Sequence, residues 1–398
     1  MIRGTITPRP GIFPKACRLV RRTARLEATV IIAGIETFAL RIPLKRGIGS
    51  DAAAWGDKDL PAADSLLVKV TTDQGLVGWG EAFGFRAVMS AKLAVDELIA
   101  PICIGQDAAR MAPLMLEVQK KLHIFGRGGP LMFAISAVDI ALWDIAGKAA
   151  NSPVYRLLGG GESDLACYAS LVRFSDPSLV RANVRRAIEA GFRCLKLHEI
   201  EISAIRAARE EAGPDVELTL DVNCPWSLNE ARTRAEELKE LDLKWLEEPV
   251  WPPENYAGLA ELRRSCGIPI AAGENVSTLM EFERLLAAGA VDFVQPSPAK
   301  MGGISELRKV FSLAAVHNVV VMPHTFYDGP GLLAAIHATA ALGTADSMIE
   351  WRCFDLEAQL YGGALAQEGG RVSVPQGAGL GIEPDADIIR DYRRLASH

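Results

Sequence analysis

Four short polar segments limit what this chain can fold into: Lys196-Leu197-His198-Glu199, Asp221-Val222-Asn223, Glu247-Glu248-Pro249 and Gly273-Glu274-Asn275. Each follows an apolar run, at residues 194–195, 218–220, 245–246 and 268–272. A carboxylate that breaks a buried run needs a partner, because an unpaired charge in apolar surroundings is costly. Such runs at intervals of roughly 25 residues mark successive βα units of a parallel barrel, whose functional groups collect at the C-terminal ends of the strands. Asp221, Glu247 and Glu274 are therefore expected to converge on one mouth, and three carboxylates meeting there need a cation. Hard oxygen ligands with room for water and substrate suit Mg2+.

The flanking sequence sets the strand count. Strand candidates at 165–170, 193–198, 217–223, 243–247, 268–274, 292–295, 319–323 and 347–351 are separated by segments of helical periodicity. This is an α/β pattern, and it predicts a modified (β/α)8 TIM barrel of the (β/α)7β form. Ahead of it, strands at 29–40, 65–72 and 76–79 read as an antiparallel meander with a turn at Gly80-Glu81, and helices are expected at 88–99, 108–122 and 131–150. A chain of 398 residues exceeds the usual single domain. The expected division is a basic N-terminal extension at 1–32, an α+β capping domain at 33–160, the barrel at 161–351, and a C-terminal segment at 352–398 that returns to the cap.

Composition narrows the partners. With 49% hydrophobic and 23% charged residues the chain reads as a soluble globular protein, and a formal charge of -6 argues against a nucleic-acid surface. No uninterrupted apolar run reaches the ~18 residues of a membrane helix, so no membrane partner is expected. The seven cysteines are scattered singly, without zinc-site spacing or a disulfide framework, and predict a reduced, cytoplasmic setting. Seven basic residues and no acid precede Glu27. That segment reads as a transit peptide or an upstream extension and stands outside the fold argument.

Further residues assemble around the acids. Lys196 and His198, two apart on a strand, point to the same face, and either can serve as general base. His324 follows the apolar run 319–322 and is expected to meet the substrate from across the mouth. Glu350 ends the eighth strand, placed to hydrogen-bond charge developing on a carboxylate oxygen. A lone histidine or acid in such a place is more often a core or rim residue; the carboxylate trio favours function. Expected substrate contacts are Asn223, Ser297 and Tyr327 at the mouth, and Arg46, Trp55, Phe83 and Arg86 in loops of the cap. Lys45 and Phe85 lie beside them, and Lys300 either faces the site or supports its rim.

These segments, with the helix sequence AISAVDIALWDIAGKA at 134–149 and PAKMGG at 298–303, resemble the enolase superfamily, mandelate racemase subgroup, from about Ile35 onward. The resemblance implies that Asp221, Glu247 and Glu274 bind Mg2+, which holds the carboxylate of a small-molecule substrate. It also implies abstraction of the α-proton through an enediolate by a Lys or His base, and assembly as a homo-oligomer. Two departures matter. His198 stands where the family often has a second lysine, and Ser297 where it usually has an aspartate paired with the seventh-strand histidine. Without that carboxylate, His324 is expected to be a weaker base and a readier proton donor. The expected reaction is β-elimination from a hydroxy-carboxylate, a sugar acid or its lactone, by a dehydratase or cycloisomerase. The alternatives are a racemase or epimerase of an α-hydroxy acid, and a catalytically idle ligand-binding or structural member of the family.

Overall fold

The computed structural model describes residues 29–45, 54–55, 58–59 and 61–394. Strands Ile32–Pro43, Ala62–Thr72 and Val77–Ala82 form an antiparallel sheet in that order. Alternation puts Leu66, Val68 and Val70 of the middle strand on one face, where they pack in one core with the helix Gly129–Ala149. Gly80 and Glu81, expected as a turn, lie inside the third strand. A Cβ on Gly78 would fall 2.1 Å from the Ala141 carbonyl oxygen, and one on Gly80 would fall 1.8 Å from that of Ala137. The glycines are there because the helix backbone packs directly on the sheet, a role that sequence alone does not separate from a turn. Within the stretch expected as a loop, Ala54–Trp55 pairs antiparallel with Lys58–Asp59.

Among the described residues, Gly129–Ala149 is long and apolar enough to cross a membrane by length and composition alone, with mean hydropathy 1.5. Its most apolar window is 83% buried in the protein, which accounts for the composition. Its two acids are used internally: Asp139 accepts from Ser305 N at 3.0 Å, and Asp144 from Trp79 N and Leu380 N.

Eight parallel strands follow, numbered first to eighth in chain order: Asp164–Ser170, Cys194–Leu197, Glu217–Asp221, Leu243–Glu247, Ile270–Ala272, Phe293–Val294, Val320–Val321 and Ile349–Arg352. Ladders join each to the next from the first to the seventh, and join the eighth to the first. Side chains span the remaining seam. Thr325 donates from N and Oγ1 to the carboxylate and carbonyl of Glu350, and Met348 N donates to the Met322 sulfur. Seven helices alternate with the strands, which gives the (β/α)7β order. Tyr168, Trp245 and Met322 belong to a cluster that fills the barrel interior as a floor beneath the mouth.

Two of the loops that leave this mouth are pinned by capping boxes. Ser227 and Glu230 satisfy each other's backbone N–H groups at the start of helix Leu228–Leu238, and Thr278 and Glu281 do so at Leu279–Ala287. These loops follow the third and fifth strands, which carry Asp221 and Glu274. The tail serves both halves of the molecule. Arg371–Ser373 pairs antiparallel with the start of the first barrel strand. Further on, Arg41 N donates to Tyr392 O, and Arg394 N donates to Ala39 O at the edge of the cap sheet. The six cysteines among the described residues are unpaired, and Cys17 lies outside them.

Candidate active site

Asp221 and Glu247 end the third and fourth strands in direct register, and Glu274 lies two residues beyond the fifth. Left-handed backbone at Asn223 (φ 56°), Cys224 (φ 57°) and Glu248 (φ 46°) turns the chain away just after these acids. One oxygen from each of Asp221, Glu247 and Glu274 lies within 4.8 Å of the others, and all three residues are buried. That spacing accommodates one six-coordinate ion with metal–oxygen distances of about 2.1 Å.

Charge leads to the same cation. Asp221, Glu247, Glu274 and Glu350 outnumber the ammonium groups of Lys196 and Lys300 that they face. Burial and the neighbouring Asp221 push the Glu247 carboxyl well above the ordinary range. Burial also opposes ionisation of Asp221 and Glu274. It is outweighed by Lys196 and His198 at Asp221, held at about 2, and by Lys300 and His324 at Glu274, held well below normal. Among the described residues, Asp221 Oδ2 has only the basic side chains Lys196 at 3.2 Å and His198 at 3.4 Å beside it. The donor set and its charge therefore fit a divalent cation.

Lys196 is fully buried, with Nζ 3.2 Å from Asp221, 3.0 Å from Glu247 and 2.9 Å from Glu350. Burial alone would discharge the ammonium, but Glu247, Glu350 and Asp221 outweigh it and hold the pKa well above the usual lysine value. Glu350, expected to donate a hydrogen bond toward developing charge, acts instead as an acceptor. It takes hydrogen bonds from Ser170 Oγ at 2.8 Å and Thr325 N at 2.9 Å. Against the effect of burial, Lys196 and His324 lower its pKa, so it stays ionised and orients Lys196.

The two histidines approach different members of the trio. His198 hydrogen-bonds the Leu171 carbonyl through Nδ1 and turns Nε2 toward Asp221. His324 Nε2 lies 2.8 Å from Glu274 Oε2, and its Nδ1 lies 3.3 Å from Ser297 Oγ. Ser297 is linked to Tyr327 Oη at 3.1 Å, and that hydroxyl donates to the His324 carbonyl at 2.9 Å.

Other expected contacts separate into groups. Asn223 N donates to Asp221 Oδ1 at 2.9 Å, and its Nδ2 is buried without a partner among the described residues. Phe83 packs its ring on those of His324 and Tyr327. Lys300 faces the site, 4.8 Å over the Phe83 ring and 3.7 Å from Glu274. Arg86 lies instead on a neighbouring cavity. Arg46 lies outside the described residues, and of Trp55 only the backbone pairing is described.

Two neighbours had no role assigned from the sequence. Trp245 Nε1 donates to Glu247 Oε2 at 3.0 Å from two positions earlier on the same strand, a spacing that could have revealed it. Glu248 hydrogen-bonds Asn275 Nδ2 at 3.0 and 2.8 Å, and burial next to Glu274 and Asp221 pushes it up to about 8.

A capped (β/α)7β barrel with carboxylates ending its third, fourth and fifth strands defines a class of metal-assisted enzymes. Residues 60–159 match the family model for the mandelate racemase / muconate lactonizing enzyme N-terminal domain, and residues 179–388 match the enolase C-terminal domain-like model. The chain belongs to the enolase superfamily, in the mandelate racemase branch, whose members bind Mg2+, and it is an enzyme of that kind. It is similar to the D-galactarolactone cycloisomerase of Agrobacterium fabrum, 32% identical over 82% of this chain and 91% of the relative. An arabinonate dehydratase of Saccharolobus solfataricus is 29% identical over 91% of this chain and 99% of the relative. Among solved structures, a racemase from Streptomyces coelicolor with bound magnesium superposes with TM-score 0.81 at 27% identity, covering 92% of this chain and all of that one.

Proposed function

We propose that this enzyme removes the α-proton of a sugar acid or its lactone in a Mg2+-dependent reaction and then eliminates at the β-carbon, as an acid-sugar dehydratase or cycloisomerase. The observation that carries the proposal is the pair of imidazoles set against two different members of one carboxylate trio, His198 at Asp221 and His324 at Glu274. Asp221, Glu247 and Glu274 would hold the ion. Bound Mg2+ supplies Lewis-acid stabilisation of the charge that develops on the substrate carboxylate as the proton leaves.

Protein groups do the proton chemistry. His198 Nδ1–H donates to the Leu171 carbonyl, which in the neutral ring leaves the lone pair on Nε2, facing the site. His198 is thus the base. Lys196, locked as an ammonium by three carboxylates, stabilises negative charge. Because Tyr327 donates to the His324 carbonyl, Ser297 can donate to Tyr327 and accept from His324 Nδ1. His324 Nε2 meanwhile donates toward Glu274. A proton on Nε2 then lies on the site side, where an acid that protonates a departing oxygen must hold it. The cycloisomerase and dehydratase relatives favour elimination over racemisation.

The test is a panel of acid sugars and their lactones with Mg2+ in deuterated buffer, followed by NMR. In either case β-elimination leaves an enol that becomes an α-keto acid: with loss of water for a dehydratase, and with opening of the lactone or anhydro ring at unchanged mass for a cycloisomerase. Recovery of both α-epimers carrying deuterium, with no elimination product, would replace the proposal with racemisation.

A further inference from the structure

A cavity of about 430 Å3 lies beside the acid cluster, where the cap meets the barrel. Phe326 lines it and also meets the His198 ring, at 6.3 Å between centroids. Arg352 lines it from the eighth strand, two residues beyond Glu350. The two side chains share a strand face, and Arg352 stands roughly 7 Å farther out along it. That is the reach of a hexose-derived chain.

The charges in this cavity are unbalanced. Arg41, Arg86, Arg352 and Arg394 line it, with Asp64 among them. Arg352 is only 7% exposed, its guanidinium packed over the Phe326 and Phe354 rings at 5.3 and 4.6 Å and paired with Asp328. Across the cavity, Asp64 is 3.3 Å from Arg41. Asp64 also lies within electrostatic reach of Arg394 and Arg86, although burial outweighs all three arginines and raises its pKa. Neither Arg86 nor Arg394 makes an ion pair among the described residues. Among the described residues, four guanidinium groups thus face two carboxylates. Even with Glu81, buried behind Arg352, fully ionised, one positive charge is left over. Guanidinium forks fit carboxylates in bidentate geometry, and aromatic walls strengthen the pairing by excluding water.

We propose that this cavity takes a second carboxylate, so that the substrate is a dicarboxylic sugar acid or its monolactone rather than a monocarboxylic aldonate. The proposal rests on the reaction above, in which the first carboxylate is held at the acid cluster.

Calorimetric titration in Mg2+ of six-carbon aldarates against their matched aldonates tests it directly. The wild type is expected to bind aldarates roughly ten- to a hundredfold more tightly, the strength of hydrogen bonds to a charged group. Arg86→Gln with Arg394→Gln, both exposed positions, should erase that preference and leave aldonate affinity in place. Arg352→Met should do the same where it folds. Equal affinity in the wild type, or an unchanged preference in the double variant, overturns the second-carboxylate site. Turnover reads the other proposal separately. Aldonates handled as well as aldarates would sink the cavity assignment and keep the reaction. Selective aldarate binding with no loss or exchange of an α-proton would keep the cavity and sink the reaction.

Discussion

At the scale of single residues, Lys196 and His198 divide labour that their positions in the sequence left undivided. Both are buried and both approach Asp221 Oδ2, yet three carboxylates surround one and a backbone carbonyl orients the other. His198→Gln should lower kcat by roughly 10^2–10^4-fold, the usual contribution of a positioned base. It should leave Mg2+-dependent thermal stabilisation in place, and a variant with near-normal kcat would return the base role to Lys196. The carboxylate trio was legible in the sequence because an acid that ends an apolar run stands out against its neighbours. Arg352 was not, since an arginine just past a strand looks like a solvated rim charge. Its companions Arg41, Asp64 and Arg86 lie far away in the chain and meet it only in three dimensions.

At the scale of elements, glycine is what brings the cap helix and the barrel together. Gly303, the first residue of helix Gly303–Val316, has φ 77°, and a Cβ there would fall 2.2 Å from Asp139 Oδ1. Gly303→Ala combines a left-handed strain with a steric collision, so a loss of about 3 kcal/mol or more is expected in denaturant unfolding. A loss below about 1 kcal/mol would show that helix Gly129–Ala149 can shift to make room. The PAKMGG motif, noticed as a family signature, thus has a packing reason. Gly80 shows the limit of such reading. A glycine inside a strand and a glycine in a turn look alike until the helix that demands the close approach has been placed.

At the scale of the whole molecule, Glu81 ties pH to stability. It is buried in the cap and accepts from Gly331 N at 3.0 Å at the start of helix Pro330–Leu342. Burial raises its pKa to about 7 despite that bond. A carboxyl whose folded pKa exceeds its unfolded value binds more protons when folded, so stability falls as pH rises from the unfolded value through the folded one. The loss is roughly 3 kcal/mol, complete above about pH 7. Glu81→Gln should match the wild type near pH 4.5 and exceed it near pH 8 by about that amount in unfolding free energy. Parallel pH profiles for the two proteins would mean that Arg352 already neutralises the charge.

The tail gives the chain a particular order of completion during synthesis. The cap strand Ile32–Pro43 is made before the barrel, yet part of its edge waits for Tyr392 and Arg394, which follow the barrel in the chain. A nascent chain folds largely from its N-terminus, so the barrel can form while the cap still has an open border. The arginines that line the cavity between cap and barrel then come together only once Arg394 has been made. Chains stopped after Glu383, which keep the Arg371–Ser373 pairing to the barrel, should be cut by protease first within the cap, and equal resistance of cap and barrel would show that the border closes without Tyr392 and Arg394.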